Sequence, residues 1–181
     1  MKWFIASDIH GSAYYCRKLL DAFEKEKADR ILFLGDILYH GPRNNLPRDY
    51  APKEVIAMLS PLKSKILSVR GNCDTEVDQM VLPFPVLADY ALIPTEKNLI
   101  FVTHGHNWNN SNLPTINPGD ILLHGHTHVP VCEEYPTHIY INPGSVSIPK
   151  ENSPHSYMIF DGETFTWKNL EGETYKTYTI K

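Results

Sequence analysis

Cysteine is scarce in this chain. Cys16, Cys73 and Cys132 are odd in number and far apart, with no CxxC pair. Neither a disulfide framework nor a cysteine-rich zinc site is expected from them, and a reducing cytoplasm is the compartment that fits. Long apolar runs are missing as well: stretches such as Ile31–Leu34 fall far short of the ~18 residues that would suggest a membrane span. The apolar segment at the start ends at Asp8, before a secretory core could form, so export by the usual route is not expected. Positive charge is not in excess. Seventeen Lys and Arg against 21 Asp and Glu give a net charge of −4, which argues against a broad electrostatic grip and a stable complex with nucleic acid. No repeat, low-complexity tract or compositional break is present, and residues 1–181 are read as a single domain.

Proline, by contrast, is over-used. There are 14, and most of the excess lies in residues 42–61, 83–94 and 114–154, which predicts ordered but irregular connections there. The hydrophobic share of 42% in 181 residues is enough for a core without disulfide staples. Along the chain, Lys2–Ser7 reads as a short buried strand that ends in a polar turn. Ser12 suits the cap of a following helix in which Tyr15, Leu19, Ala22 and Phe23 share a face. Arg30–Leu34 is a second strand. Pro52 suits the first turn of a second helix that Pro61 should stop, and Lys65–Val69 is a third strand. This β-α-β-α-β order implies a parallel sheet with right-handed crossovers.

The second half reads as short strands at Leu99–Thr103, Asp120–Leu123, Val129–Glu133 and Ile139–Ile141. A hairpin is expected around Asp161-Gly162, with a final strand at Tyr175–Ile180. A β-rich second half packed face to face on the α/β first half is therefore expected. Aromatic residues near the C-terminus, Phe165, Trp167, Tyr175 and Tyr178, together with exposed strand edges, suggest self-association into a homo-oligomer.

Five strand ends carry metal-competent side chains. Asp8-Ile9-His10 follows the first strand, Gly35-Asp36 the second and Gly71-Asn72 the third; Thr103-His104-Gly105-His106 and His124-Gly125-His126-Thr127-His128 follow two strands of the second half. Each motif alone is weak, since Gly-Asp and Gly-Asn are ordinary turn pairs. Their recurrence at strand carboxyl ends, where sites form in open α/β sheets, is much more specific. Two neighbouring dications repel, so a shared carboxylate has to sit between them, and Asp36 suits that place. Asp8, His10, Asn72, His104, His126 and His128 supply further oxygens and nitrogens. Mixed O/N donors without thiolate fit Mn²⁺, Fe²⁺, Zn²⁺ or similar ions.

These residues, in this order, resemble the calcineurin-like metallophosphoesterase superfamily. The likeness runs from Lys2 to about Lys150 and is closest to a small bacterial phosphodiesterase branch in His40-Gly41-Pro42-Arg43-Asn44, Arg70-Gly71-Asn72-Cys73-Asp74 and Pro143–Lys150. The resemblance implies an α/β fold, a four-layer α/β/β/α sandwich of the metallophosphoesterase type. It also implies two divalent metal ions, Mn²⁺ foremost with Zn²⁺, Fe²⁺ or Ni²⁺ as alternatives. Asp8, His10, Asp36 and His128 would hold the first ion, and Asp36, Asn72, His104 and His126 the second. The implied activity is hydrolysis of a small phosphodiester or nucleotide-like substrate by a metal-bridging hydroxide, with no covalent intermediate and no membrane partner.

Many members of the superfamily carry His where this chain has Cys73, and that His helps to neutralise phosphate and protonate the leaving oxygen. A neutral thiol does neither, so phosphodiesters and activated aryl esters are expected to be better substrates than monoesters. Arg43 is the expected protein cation near substrate, which makes Asn72, Cys73 and Arg43 the catalytic candidates beside the metal ligands. His106 matches no ligand position. Trp108 is expected to pack beneath its own loop. Two other readings stay open: a binding scaffold on the same fold, as in the retromer subunit of this superfamily, and a metal-dependent enzyme for a dinucleoside polyphosphate or a phosphomonoester.

Overall fold

The computed structural model describes residues 1–181. Strands β1 (Trp3–Ala6), β2 (Arg30–Phe33) and β3 (Ile66–Ser68) alternate with helices α1 (Ala13–Glu26) and α2 (Pro52–Leu59), and the three strands run parallel. Ser12 caps α1, its hydroxyl accepting the Tyr15 N–H. Pro61 does not end the coiling outright. Ser60–Lys65 continue as a 3₁₀ helix, because a proline near the start of a new turn lacks an N–H that would be unpaired anyway.

Two elements lie where the sequence pattern predicts none. Helix α3 (Glu76–Val81) is started by a capping box between Thr75 and Asp78. Strand β4 (Ala91–Pro94) alternates half-buried and exposed residues at a sheet edge. Beyond them come β5 (Leu99–Val102), β6 (Ile121–Leu123), β7 (Pro130–Glu134), β8 (Ile139–Pro143), β9 (Ser156–Phe160), β10 (Thr164–Asn169) and β11 (Thr174–Thr179).

The two sheets do not divide the chain at its middle. Strand β9 pairs antiparallel with β1, giving a six-stranded order β11-β10-β9-β1-β2-β3, while β4-β5-β6-β8-β7 form the second sheet. The expectation of a wholly parallel first sheet packed on a separate C-terminal β unit is corrected accordingly. The last hairpin completes the first sheet by covering the free edge of β1.

Strands buried on both faces explain the layering. Ile5, Leu32 and Leu34 point toward Ile100, Ile121 and Ile141 of the second sheet. Phe4, Ile31 and Phe33 point the other way, into a core with Leu19 and Phe23 of α1 and Val55 and Leu59 of α2. No helix lies between β5 and β6, and residues 105–118 are an irregular segment. Trp108 packs edge-on against Tyr90 and Phe101 there, beneath its own loop.

Phe165 and Trp167 are fully buried between the sheets, so they are not available for self-association; Tyr175 stays exposed. No helix is long and apolar enough to cross a membrane. The arrangement brings the carboxyl ends of β1, β2, β3, β5 and β6 to one edge of the sandwich.

Candidate metal centre

The β1–β2 pairing continues past the sheet: the Asp8 N–H donates to Gly35 O and the His10 N–H to Asp36 O. Asp8 and Asp36 are thereby fixed side by side. Gly35 and Gly71 allow the next loop to close on this pair. A Cβ on Gly35 would lie 2.5 Å from the Gly71 nitrogen, and one on Gly71 would lie 2.1 Å from Asp36 Oδ1. Five of the candidate ligands, Asp8, His10, Asp36, His126 and His128, have left-handed backbones with φ between 49° and 66°. Such strain is held only where surrounding contacts over-determine it, and it clusters at functional sites. Here the contacts include Ser145 and Ser147, whose hydroxyls both donate to Asp8 O at 3.0 Å. Asn142 Nδ2 donates to Gly125 O and to Thr127 Oγ1, which holds the loop that carries His126 and His128.

The structure brings all seven candidate ligands together. His128 Nε2 lies 3.2 Å from Asp8 Oδ1, and His10 Nε2 lies 3.5 Å from the same oxygen and 3.7 Å from Asp36 Oδ2. His104 Nε2 lies 3.4 Å from Asp36 Oδ2, 3.1 Å from Asn72 Oδ1 and 3.2 Å from His126 Nδ1. Three of the rings are oriented from behind: Nδ1 of His10, His104 and His128 donates to the carbonyls of Tyr39, Leu34 and Ile148 at 2.6–2.7 Å. In a neutral ring this leaves Nε2 as a bare lone pair aimed inward.

The centre is thus crowded with acceptors. His10 and His128 Nε2 face each other at 3.4 Å, and the buried Asp8 Oδ1 has no hydrogen-bond partner. Protons or cations must lie between such groups, and a divalent ion fits this donor set. Asp8, His10, Asp36, His104 and His128 are buried, whereas Asn72 is exposed and His126 half-buried, so the cluster opens to solvent on the Asn72 side.

The protonation states agree with this geometry. Burial alone would lift the Asp8 carboxyl, but the rings of His10 and His128 outweigh it and hold the group well below the usual carboxylate range. Burial would likewise raise Asp36, and His104 outweighs it to lower the carboxyl. Burial disfavours a charged His104, yet the adjacent Asp36 lifts that ring to about 9. His10 is raised in the same sense, Asp8 overcoming its burial. Burial takes His126 and His124 down to about 4.

Above these residues lies a cleft of about 400 Å³ whose walls include Arg43, Asn44, Cys73 and Lys150. A larger groove of about 800 Å³, between the β4–β5 and β9–β10 turns at the opposite end of the sheets, contains none of the candidate residues. His106 lies outside the ligand cluster, its ring centre 5.4 Å from that of His104. His40 packs edge-on against Tyr39 and Tyr50 and serves the loop through its carbonyl, which accepts from Asn44.

Comparison with known proteins gives the family. Residues 1–164 match the calcineurin-like phosphoesterase superfamily domain. The chain belongs to the calcineurin-like phosphoesterase superfamily. It is 46% identical to phosphodiesterase YfcE of Escherichia coli over 166 residues, 92% of this chain and 90% of that one. The solved structure of that E. coli phosphoesterase superposes with a TM-score of 0.95, 43% identity and full coverage of both chains. Phosphodiesterase MJ0936 of Methanocaldococcus jannaschii is 26% identical over 152 residues, 80% of this chain and 83% of its own. Vps29 of Chaetomium thermophilum shares the fold alone, with a TM-score of 0.61 at 18% identity over both full chains.

Asp74, which the sequence marks only as part of the Arg70–Asp74 motif, holds two turns of the site together. Its carboxylate accepts the N–H groups of Asp36, Ile37 and Gly71 at 2.8–3.0 Å, which locks the Asp36 turn to the Asn72 turn. Burial and then the charge of Asp36 push its carboxyl up to about 6. Asp74→Ala leaves three buried donors unpaired. It is expected to cost about 3 kcal/mol or more of stability and to weaken divalent-metal binding by about 10–100-fold. Asp74→Asn, which keeps an acceptor oxygen, is expected to recover part of both in thermal melts and metal titrations. Equal metal affinity in Asp74→Ala and the wild type would contradict this.

Proposed function

We propose that this protein is a metal-dependent phosphodiesterase that hydrolyses a small phosphodiester or nucleotide-like substrate. The observation that carries the reading is the convergence of metal-competent oxygen and nitrogen atoms from seven residues on a solvent-open cleft, with Asp36 reached by both His10 and His104. Asp8, His10, Asp36 and His128 would hold one divalent ion and Asp36, Asn72, His104 and His126 a second. Mn²⁺ is the first choice, and Zn²⁺, Fe²⁺ or Ni²⁺ suit the same donors. When bound, the two ions supply a hydroxide nucleophile at neutral pH and neutralise the non-bridging phosphoryl oxygens. The phosphodiesterase names of YfcE and MJ0936 support the substrate class, and three free thiols support a cytoplasmic setting.

The chain's own groups orient and select. Asn72 extends the donor set toward solvent, where substrate arrives. Arg43 stands on the cleft wall as a cation for the phosphate. Burial, and then the charge of Asp36, pushes the Cys73 thiol up to about 12. It therefore stays protonated and neutral, which supports direct hydrolysis without a cysteinyl-phosphate and leaves a poor leaving group with little help from protein acid.

Turnover of bis(p-nitrophenyl) phosphate with added Mn²⁺, lost on chelation, is the expected result. No turnover with any divalent ion would favour a scaffold. Cys73→His is expected to raise the ratio of monoester to diester hydrolysis by about ten-fold or more, within the usual range for a positioned acid. Rates measured across a series of leaving-group pKa values check this, and an unchanged slope removes Cys73 from the chemistry.

A further inference from the structure

Apart from the Pro42 ring and the Cys73 thiol, every side chain that lines the cleft is polar or charged. Such a lining does not suit an apolar ester arm. Two cations, Arg43 and Lys150, face the cleft from different loops. Lys2, Arg17, Lys18, Arg70, Lys168 and Lys181 all sit in ion pairs, and Arg43 and Lys150 do not.

Unpaired surface lysines are ordinary. Lys150 is set apart by how its backbone is held. Its N–H donates to the carbonyl of His128, one of the candidate ligands, at 3.1 Å. Its own carbonyl accepts both the N–H and the hydroxyl of Ser153, at 3.0 and 2.6 Å. Glu151 and Asn152 follow in left-handed conformations, φ 55° and 57°, and complete the turn. The side chain therefore starts from a stem fixed to the centre itself.

Charge then points to the ligand. Two divalent ions, held by the ligand set that includes Asp8 and Asp36, would carry more positive charge than those two carboxylates cancel, and the single charge of a phosphodiester would meet that excess. Arg43 and Lys150 add further positive charge, with no counter-charge from the protein. We propose that Lys150 is a specificity-determining residue that selects phosphodiesters carrying a second anionic group, a phosphate or carboxylate, on one ester arm. This rests on the phosphodiesterase reading above, and it names a substrate feature which that reading leaves open.

A matched pair of probes isolates the feature. Thymidine 5′-(p-nitrophenyl phosphate) and its 3′-phosphorylated counterpart share the scissile bond and leaving group, and differ by the remote phosphate. With Mn²⁺, the wild type is expected to favour the 3′-phosphorylated probe by about ten-fold in kcat/KM, mainly through KM, the scale of one charge-assisted hydrogen bond. Lys150→Gln is expected to bring that ratio close to one, Lys150→Arg to retain most of it, and raised salt to compress it in the wild type. Equal kcat/KM for the two probes in the wild type would overturn the inference, as would a Lys150→Gln effect of the same size on both. Those outcomes leave the phosphodiesterase reading intact, because turnover of the unphosphorylated probe reports on it separately. If no divalent ion supports turnover of either probe, both readings fall.

Discussion

Asp36→Asn is expected to lower Mn²⁺-supported kcat/KM for bis(p-nitrophenyl) phosphate by on the order of 10³-fold and to leave the chain unable to hold both ions. Asp36 is 2% exposed, and its Oδ2 is the carboxylate oxygen within 3.7 Å of His10 and 3.4 Å of His104, so in the proposed two-ion centre it is the atom that both ions would share. The fold should survive the change. Asn retains an oxygen for the Cys73 N–H, which Asp36 Oδ1 accepts at 2.8 Å, and Asp74 still receives the backbone N–H of residue 36. Metal analysis of the purified variant separates loss of the ion from loss of chemistry. A variant that keeps more than a tenth of wild-type activity with full metal content would contradict the bridging role.

Removing the metal with a chelator is expected to lower Tm by roughly 5–10 °C, the effect of a ligand present at about 100 times its Kd on a chain of this size. The size of the effect should depend on pH with a definite sign. In the metal-free protein His104 is raised from its ordinary value of 6.5 to about 9, so its contribution is complete below the ordinary value and is lost as pH rises toward 9. Asp8 and Asp36 are lowered, so their contributions are present above the ordinary carboxylate value and are lost as pH falls through the lowered one. A bound cation needs the His104 lone pair and competes with that proton. Its stabilisation should therefore grow between the ordinary histidine value and about 9. Melts with and without Mn²⁺ across that window check the sign, and a difference that shrinks with rising pH would contradict it.

Sequence carried the site further than the fold. The candidate ligands could be read because they fall at strand ends, and strand ends in α/β sheets converge. The atoms that aim them could not be read. The carbonyls of Leu34, Tyr39 and Ile148 fix three imidazoles, and a carbonyl has no residue identity to betray it. Lys150 has no role legible in the sequence, since nothing there shows that its N–H is tied to His128 O.

Among the elements, α1 and α2 showed through apolar periodicity and caps. Helix α3 has six residues, too few for periodicity, and its one signal was Thr75 three residues before Asp78. The placement of β9 beside β1 is a pairing between residues more than 150 positions apart, which no local pattern encodes.

The most direct test of the central claim is anomalous diffraction from crystals grown with Mn²⁺. The proposed two-ion centre predicts two peaks about 3.5–4 Å apart, with Asp36 between them. The inner peak should touch Asp8, His10 and His128, and the outer should touch Asn72, His104 and His126. A single ion that leaves Asp36 untouched, or ions bound only outside this cluster, would contradict it.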